Sequence, residues 1–209
     1  MNRKNLSMKR LVLILVTVFV IFSTIGPVSA AERDNTPQYV PSTLENIPGV
    51  RYIHTATAAN TTDNYTYLDH PLLDDDPSAI VFATQNWNPG GVGNKYNDHP
   101  IGVWYDTLEK KWSVFNQDDT SIMPEDAAFN ILIPAADAPA FIHTATPANT
   151  TFNYTLIDHP LTNNNPNAIL MVTQNWNPGG GGTGIYNDQP IGVWYDSMEK
   201  KWYINGPWR

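Results

Sequence analysis

The sequence predicts an all-β protein: two tandem small antiparallel β-sandwich or barrel-like modules, the second lacking its last strand. Three observations carry that expectation. The chain repeats itself, turn residues cut each repeat every 8 to 15 residues, and no window of helical period and adequate length competes with the β-branched and aromatic runs between the turns.

The repeat sets the organisation. Residues 52–90 match residues 141–179 at 26 of 39 positions with a constant offset, and residues 97–112 match 187–202 at 13 of 16 after a one-residue insertion. Repetition this clean fixes the domain count: module one spans 51–134, a proline-bounded linker 135–139, and module two 140–209. In module one the strands are expected at 52–57, 65–69, 79–86, 101–106, 111–116 and 129–133. Ile80, Val81, Phe82 and Ala83 are apolar without alternation, the pattern of a strand covered on both faces. The charged turn at 107–110 reads as a hairpin that leans Trp104 towards Trp112. Nothing in module two corresponds to the strand at 129–133, which either leaves an open edge for the lead-in segment, a partner chain or a second copy to cover, or marks a truncated gene product whose second module is only marginally stable.

The first thirty residues differ in kind. Arg3, Lys4, Lys9 and Arg10 precede an apolar run at 11–25 that is shorter than the roughly 20 residues of a spanning helix, and Val28-Ser29-Ala30 offers a small-residue exit. This is the pattern of a cleavable secretory signal, followed by a polar lead-in at 31–50; no stable membrane span is expected in the mature chain. Loss of the signal leaves 8 Lys and Arg against 20 Asp and Glu, a net charge of −12. Such an acidic chain is ill suited to nucleic acid, where cations must meet phosphates. Without any cysteine, disulfides, thiolate metal sites and cysteine nucleophiles are excluded.

Few residues suggest reaction chemistry. Serine is sparse, no G-x-S-x-G elbow occurs, and most acids fall in turns rather than in facing pairs, so an enzyme is the less favoured class. A zinc set of His54, His70 and His99 backed by Asp69 lacks ligand spacing, and His99 is Gln189 in the other repeat. Asp74, Asp75 and Asp76 are the candidate metal ligands: they offer oxygens to calcium, or they form a plain turn, as Asn163-Asn164-Asn165 would. Four Asn-x-Thr sequons, at Asn60, Asn64, Asn149 and Asn153, would mark exposed loops if the host glycosylates them.

The candidate ligand site is the duplicated tryptophan stretch, Gln85-Asn86-Trp87-Asn88 and Gln174-Asn175-Trp176-Asn177, each followed by Pro-Gly-Gly. An indole flanked by amides suits a sugar: the ring stacks on a C–H face while the amides reach hydroxyls. Equally, the indole packs in the core and the asparagine, proline and glycines turn the chain. The HTAT…NYT…DHPL…TQNWNPGG…PIGVWY…KW unit resembles an uncharacterised family of bacterial extracellular β-rich repeat domains, over 51–134 and again over 140–209. The resemblance implies a β-rich module outside the cytoplasm and brings no activity or catalytic residues. The expectation is therefore a secreted or surface binding module with an extracellular glycan or surface polymer as partner. A structural layer or matrix protein that self-associates through open edges is the first alternative, and a polysaccharide or cell-wall hydrolase the second.

Overall fold

The computed structural model describes residues 48–207 except Val92 and Asn94, so the signal expected at residues 1–30 and nearly all of the expected lead-in lie outside it. Twelve strands carry the described chain. The first repeat holds β1 (Gly49–Thr55), β2 (Thr61–Thr62), β3 (Tyr65–Tyr67), β4 (Phe82–Gln85), β5 (Ile101–Asp106), β6 (Lys111–Asn116) and β7 (Ala128–Pro134). The second holds β8 (Thr150–Thr151), β9 (Tyr154–Ile157), β10 (Gln174–Asn175), β11 (Gly192–Asp196) and β12 (Lys201–Asn205). The only helical pieces among the described residues are single 3-10 turns at Pro89–Gly91 and Pro178–Gly180, and no helix is long and apolar enough to cross a membrane. Residues 101–106 and 111–116 form strands as expected, the other expected first-repeat strands agree to within three residues at each end, and the two-residue β2 is additional.

Each repeat begins with the same polar knot. Asn60 Oδ1 accepts from the Thr57 amide at 2.7 Å and from the Thr61 and Thr66 hydroxyls, while its Nδ2 donates to Thr55 O. Asn149 repeats every one of these bonds with Thr146, Thr150, Thr155 and Thr144. His54 and His143 lie 2.8 Å from the Thr66 and Thr155 hydroxyls. The sequons thus do not mark exposed loops: Asn64 is buried and donates to Asn116 O, and Asn153 donates to Gly206 O. The HTAT…NTT…NYT spacing exists to close a tight strand pair whose turn sits at Asp63, φ 48°. A short amide side chain does this well because it supplies acceptor and donor at once.

The β5–β6 hairpin corrects the aromatic pairing. Asp106 Oδ1 accepts from the Leu108 and Glu109 amides and caps the turn. The register then sets Tyr105 opposite Trp112 and Trp104 opposite Ser113, so the two tryptophans point to opposite faces. Trp112 is fully buried and meets the Tyr105 ring edge-on at 5.6 Å. Trp104 stands on the outer face against Tyr65.

Three sheets stack, and none closes into a barrel. A central sheet in the order β1-β7-β4 lies between a five-stranded sheet, β10-β5-β6-β3-β2, and a four-stranded one, β11-β12-β9-β8. Alternation along the central strands sends Ala83, Phe129, Ile131 and Ile133 into one core with Val103, Val114 and Trp112. Phe82 and Leu132 point the other way, into a second core with Ile157, Trp202 and Ile204 of the second repeat. The apolar run at 80–83 is therefore covered on both faces, as expected, although only Phe82 and Ala83 of it lie in β4. It also explains how the second repeat does without a counterpart of β7: the back of the first repeat's β4 and β7 closes its core. The modules are not side by side; they hold one sheet in common.

Candidate functional site

The two tryptophan stretches share their sequence and differ in their partners. In the first repeat, β4 runs along β7 and the chain stays with it, since the Asn86 amide donates to Ala128 O at 2.8 Å and its side chain to Asn130 Oδ1. Gln85 Nε2 donates to His99 O. Asn88 N donates back to Asn86 Oδ1, and Trp87 is 57 % exposed beside Gly93. Asn88 is exposed as well.

Among the described residues of the second repeat no strand corresponds to β7, and the stretch crosses to the first repeat. Thr173 Oγ1 bonds both the amide and the carbonyl of Ala83. Gln174 and Asn175 then form β10, which pairs in parallel with Gly102 and Val103 of β5, a departure from the all-antiparallel expectation. The Trp176 amide donates to Val103 O at 2.9 Å. Asn177 completes the seam: Tyr105 N donates to its Oδ1 and its Nδ2 donates to Tyr105 O, both at 2.8 Å, in a site that leaves Asn177 only 4 % exposed. One amide side chain thereby mimics one more residue of strand pairing. Gln174 is tied to its own repeat through Asn187, whose amide in turn bonds Gln117 Oε1 of the first repeat.

The turn that follows fits the seam closely. Gly180 has φ 73°, and a Cβ there would lie 2.6 Å from Pro77 Cβ and 2.9 Å from Tyr105 Cδ1. Its counterpart Gly91 has φ 79° with nothing within 4 Å of that position. Aromatic rings then seal the outer face. Trp176 meets Trp104 edge-on at 6.3 Å, and Tyr186 meets Phe115 at 5.6 Å. Asn64 and Tyr65 join these four rings around a cavity of about 210 Å³. Trp176 Nε1 is buried there without a partner among the described residues.

The metal candidates are not gathered. Asp75 turns outward to Lys110 Nζ at 2.8 Å, Asp76 Oδ1 accepts from the Ser78 amide and hydroxyl, and Asp74 Oδ1 is buried without a partner among the described residues. Burial and then the nearby Asp74 and Asp69 carboxylates raise the Tyr52 phenol above its usual range. His70 and His159 accept from the Leu72 and Leu161 amides within their turns and stack on Tyr52 and Phe141. His54 is held neutral by burial, which lowers its pKa to about 4. His99 sits 3.2 Å from Asp98. Among the described residues, no group of three His, Asp or Glu is placed to hold a metal ion.

Asn177, Thr173, Gly180 and the Tyr105 main chain were not distinguishable in the sequence from their first-repeat counterparts or from ordinary strand residues. The signal that bears on them is remote from them: residues 128–134 occur once, so only one of two identical stretches finds a β7.

A family described as a domain of unknown function (DUF7452) matches residues 44–122 and again 102–206. The two ranges overlap over β5 and β6, the strands beside which the second repeat docks. No curated protein and no solved structure matches the chain.

Proposed function

We propose that this chain, which belongs to this family of domains of unknown function, is a non-catalytic extracellular structural protein whose repeats interlock. The QNWN stretch is the plug of the joint and the outer edge of the GVWYD strand is its socket. The observation that carries this reading is the seam itself, in which Gln174 to Asn177 add a strand to β5 and Asn177 clamps Tyr105. Strand addition of this kind gives affinity through main-chain bonds and specificity through the side chains at alternate positions. The signal-like pattern at 1–30 supports an extracellular setting. Calorimetry of the full chain tests the joint: one transition is expected, with equal calorimetric and van't Hoff enthalpies. Two separate transitions would refute interlocking. Turnover of a polysaccharide by the purified protein would overturn the non-catalytic reading.

A second reading rests on Trp87 alone. This ring is exposed, with Gln85 and Asn88 exposed beside it, as a stacking surface for a glycan requires. A glycan array answers it: binding is expected to vanish in Trp87→Ala, and binding that survives there places the glycan elsewhere or nowhere.

A further inference from the structure

The in-chain joint uses one plug and one socket, and the molecule presents one more of each. Strand β11 is the second repeat's counterpart of β5, with the same sequence GVWYD, and it is the outermost strand of its sheet. Tyr195 lies opposite Trp202 just as Tyr105 lies opposite Trp112, so its amide and carbonyl face away from β12 as those of Tyr105 face away from β6. Beyond its own sheet, no backbone hydrogen bond reaches Tyr195 or Val193 among the described residues. Gly192 is exposed and Trp194 is 39 % exposed, whereas Gly102 and Tyr105 in the filled socket are buried.

The first repeat's plug is unfilled on the matching side. Along a strand, main-chain groups alternate between the two edges. The Asn86 amide is used on the β7 side, which turns Gln85 and Trp87 to the other side, the side from which the Trp176 amide reaches Val103 O in the filled joint. Trp87 and Asn88 are exposed, and the space beside Gly91 is open where that beside Gly180 is filled by Pro77 and Tyr105.

We infer that a second copy of this chain occupies the β11 edge, presenting its Gln85-Asn86-Trp87-Asn88 stretch as an added parallel strand. Asn88 clamps the Tyr195 main chain and Trp87 stands against Trp194. The occupant is argued from complementarity already realised once within the chain, between the same seven-residue plug and the same five-residue strand. The contact is heterologous: plug and socket are different surfaces, so it closes a ring or dimer or propagates as a filament. The inference rests on the plug-and-socket reading of the in-chain joint.

Sedimentation of the full secreted chain over a wide concentration range tests it. Wild type is expected to form dimers or larger species, more so at higher salt, because screening relieves repulsion between acidic copies. Asn88→Ala and Trp87→Ala weaken this association by roughly tenfold or more, the factor expected on losing buried hydrogen bonds or an aromatic anchor. Measured at dilutions where wild type is monomeric, their melting temperatures stay at the wild-type value, since both residues are exposed in the single chain. A chain that is monomeric at every concentration and salt overturns the inference, as does association that both variants retain. Asn177→Ala separates the two levels. If it lowers the melting temperature while wild type stays monomeric, the in-chain joint stands and only the contact between copies falls; if it changes nothing, both fall.

Discussion

Asn177→Ala should be among the most damaging polar substitutions in the protein, and Asn88→Ala among the mildest, although the two asparagines sit in identical seven-residue contexts. Truncating Asn177 removes both bonds to Tyr105 and strands a buried amide and a buried carbonyl. Each orphaned group costs about 1–3 kcal/mol, so the pair costs about 2–5 kcal/mol after some relaxation. For a domain of this size, each kcal/mol moves the melting temperature by roughly 2–4 °C, which gives a fall of about 4–20 °C. Asn88 gives up only exposed contacts, and its variant should stay within about 0.5 kcal/mol of wild type. Asn177→Asp refines the measurement, because it keeps the acceptor for Tyr105 N and loses the donor to Tyr105 O. Thermal unfolding followed by near-ultraviolet circular dichroism reads all three. Equal shifts for Asn88→Ala and Asn177→Ala would refute the asymmetric joint.

The same comparison applies to the glycines. Gly91→Ala and Gly180→Ala both place a side chain at positive φ, but only at 180 does the new Cβ run into Pro77 and Tyr105; denaturant melts should show an added cost there of about 1–3 kcal/mol. Acid should loosen the fold through the buried histidines. Because burial lowers the folded pKa of His54 from 6.5 to about 4, protonation favours the unfolded chain; stability is undiminished above about pH 6.5 and falls as the pH drops towards 4, by a few kcal/mol at most. His143 is shifted in the same direction by burial and adds to the loss. His54→Gln, which can still bond Thr66, should flatten that acid limb in unfolding free energies measured at pH 7 and pH 4.5; an unchanged limb would count against a neutral buried ring.

Much of the architecture was legible from residue pattern. The β5–β6 hairpin is written in its alternation and its Asp-capped turn, and the unbroken apolar run at 80–83 announced a strand with a core on each side. Local chemistry sufficed there because register and burial follow from period two. The Trp104–Trp112 pairing failed because the turn length sets which residues face each other, and a one-residue difference moves a ring to the opposite face. The metal candidates at 74–76 and the sequons were read from residue type, whereas the direction of each side chain follows from the turn that holds it.

By itself the sequence determined that this is a duplicated β protein, where most strands of its first repeat run, and which short stretch recurs. It could not determine what each copy of that stretch does, because Gln85 to Asn88 and Gln174 to Asn177 are the same four residues. Only the tertiary structure decided between them. A strand present once, β7, saturates the main chain of the first copy from one side and holds it in the central sheet, while the second copy, with no such partner, satisfies its backbone on the edge of β5. Hydrogen-bonding groups must be paired wherever they are buried, and which partner is within reach is a property of the assembled fold.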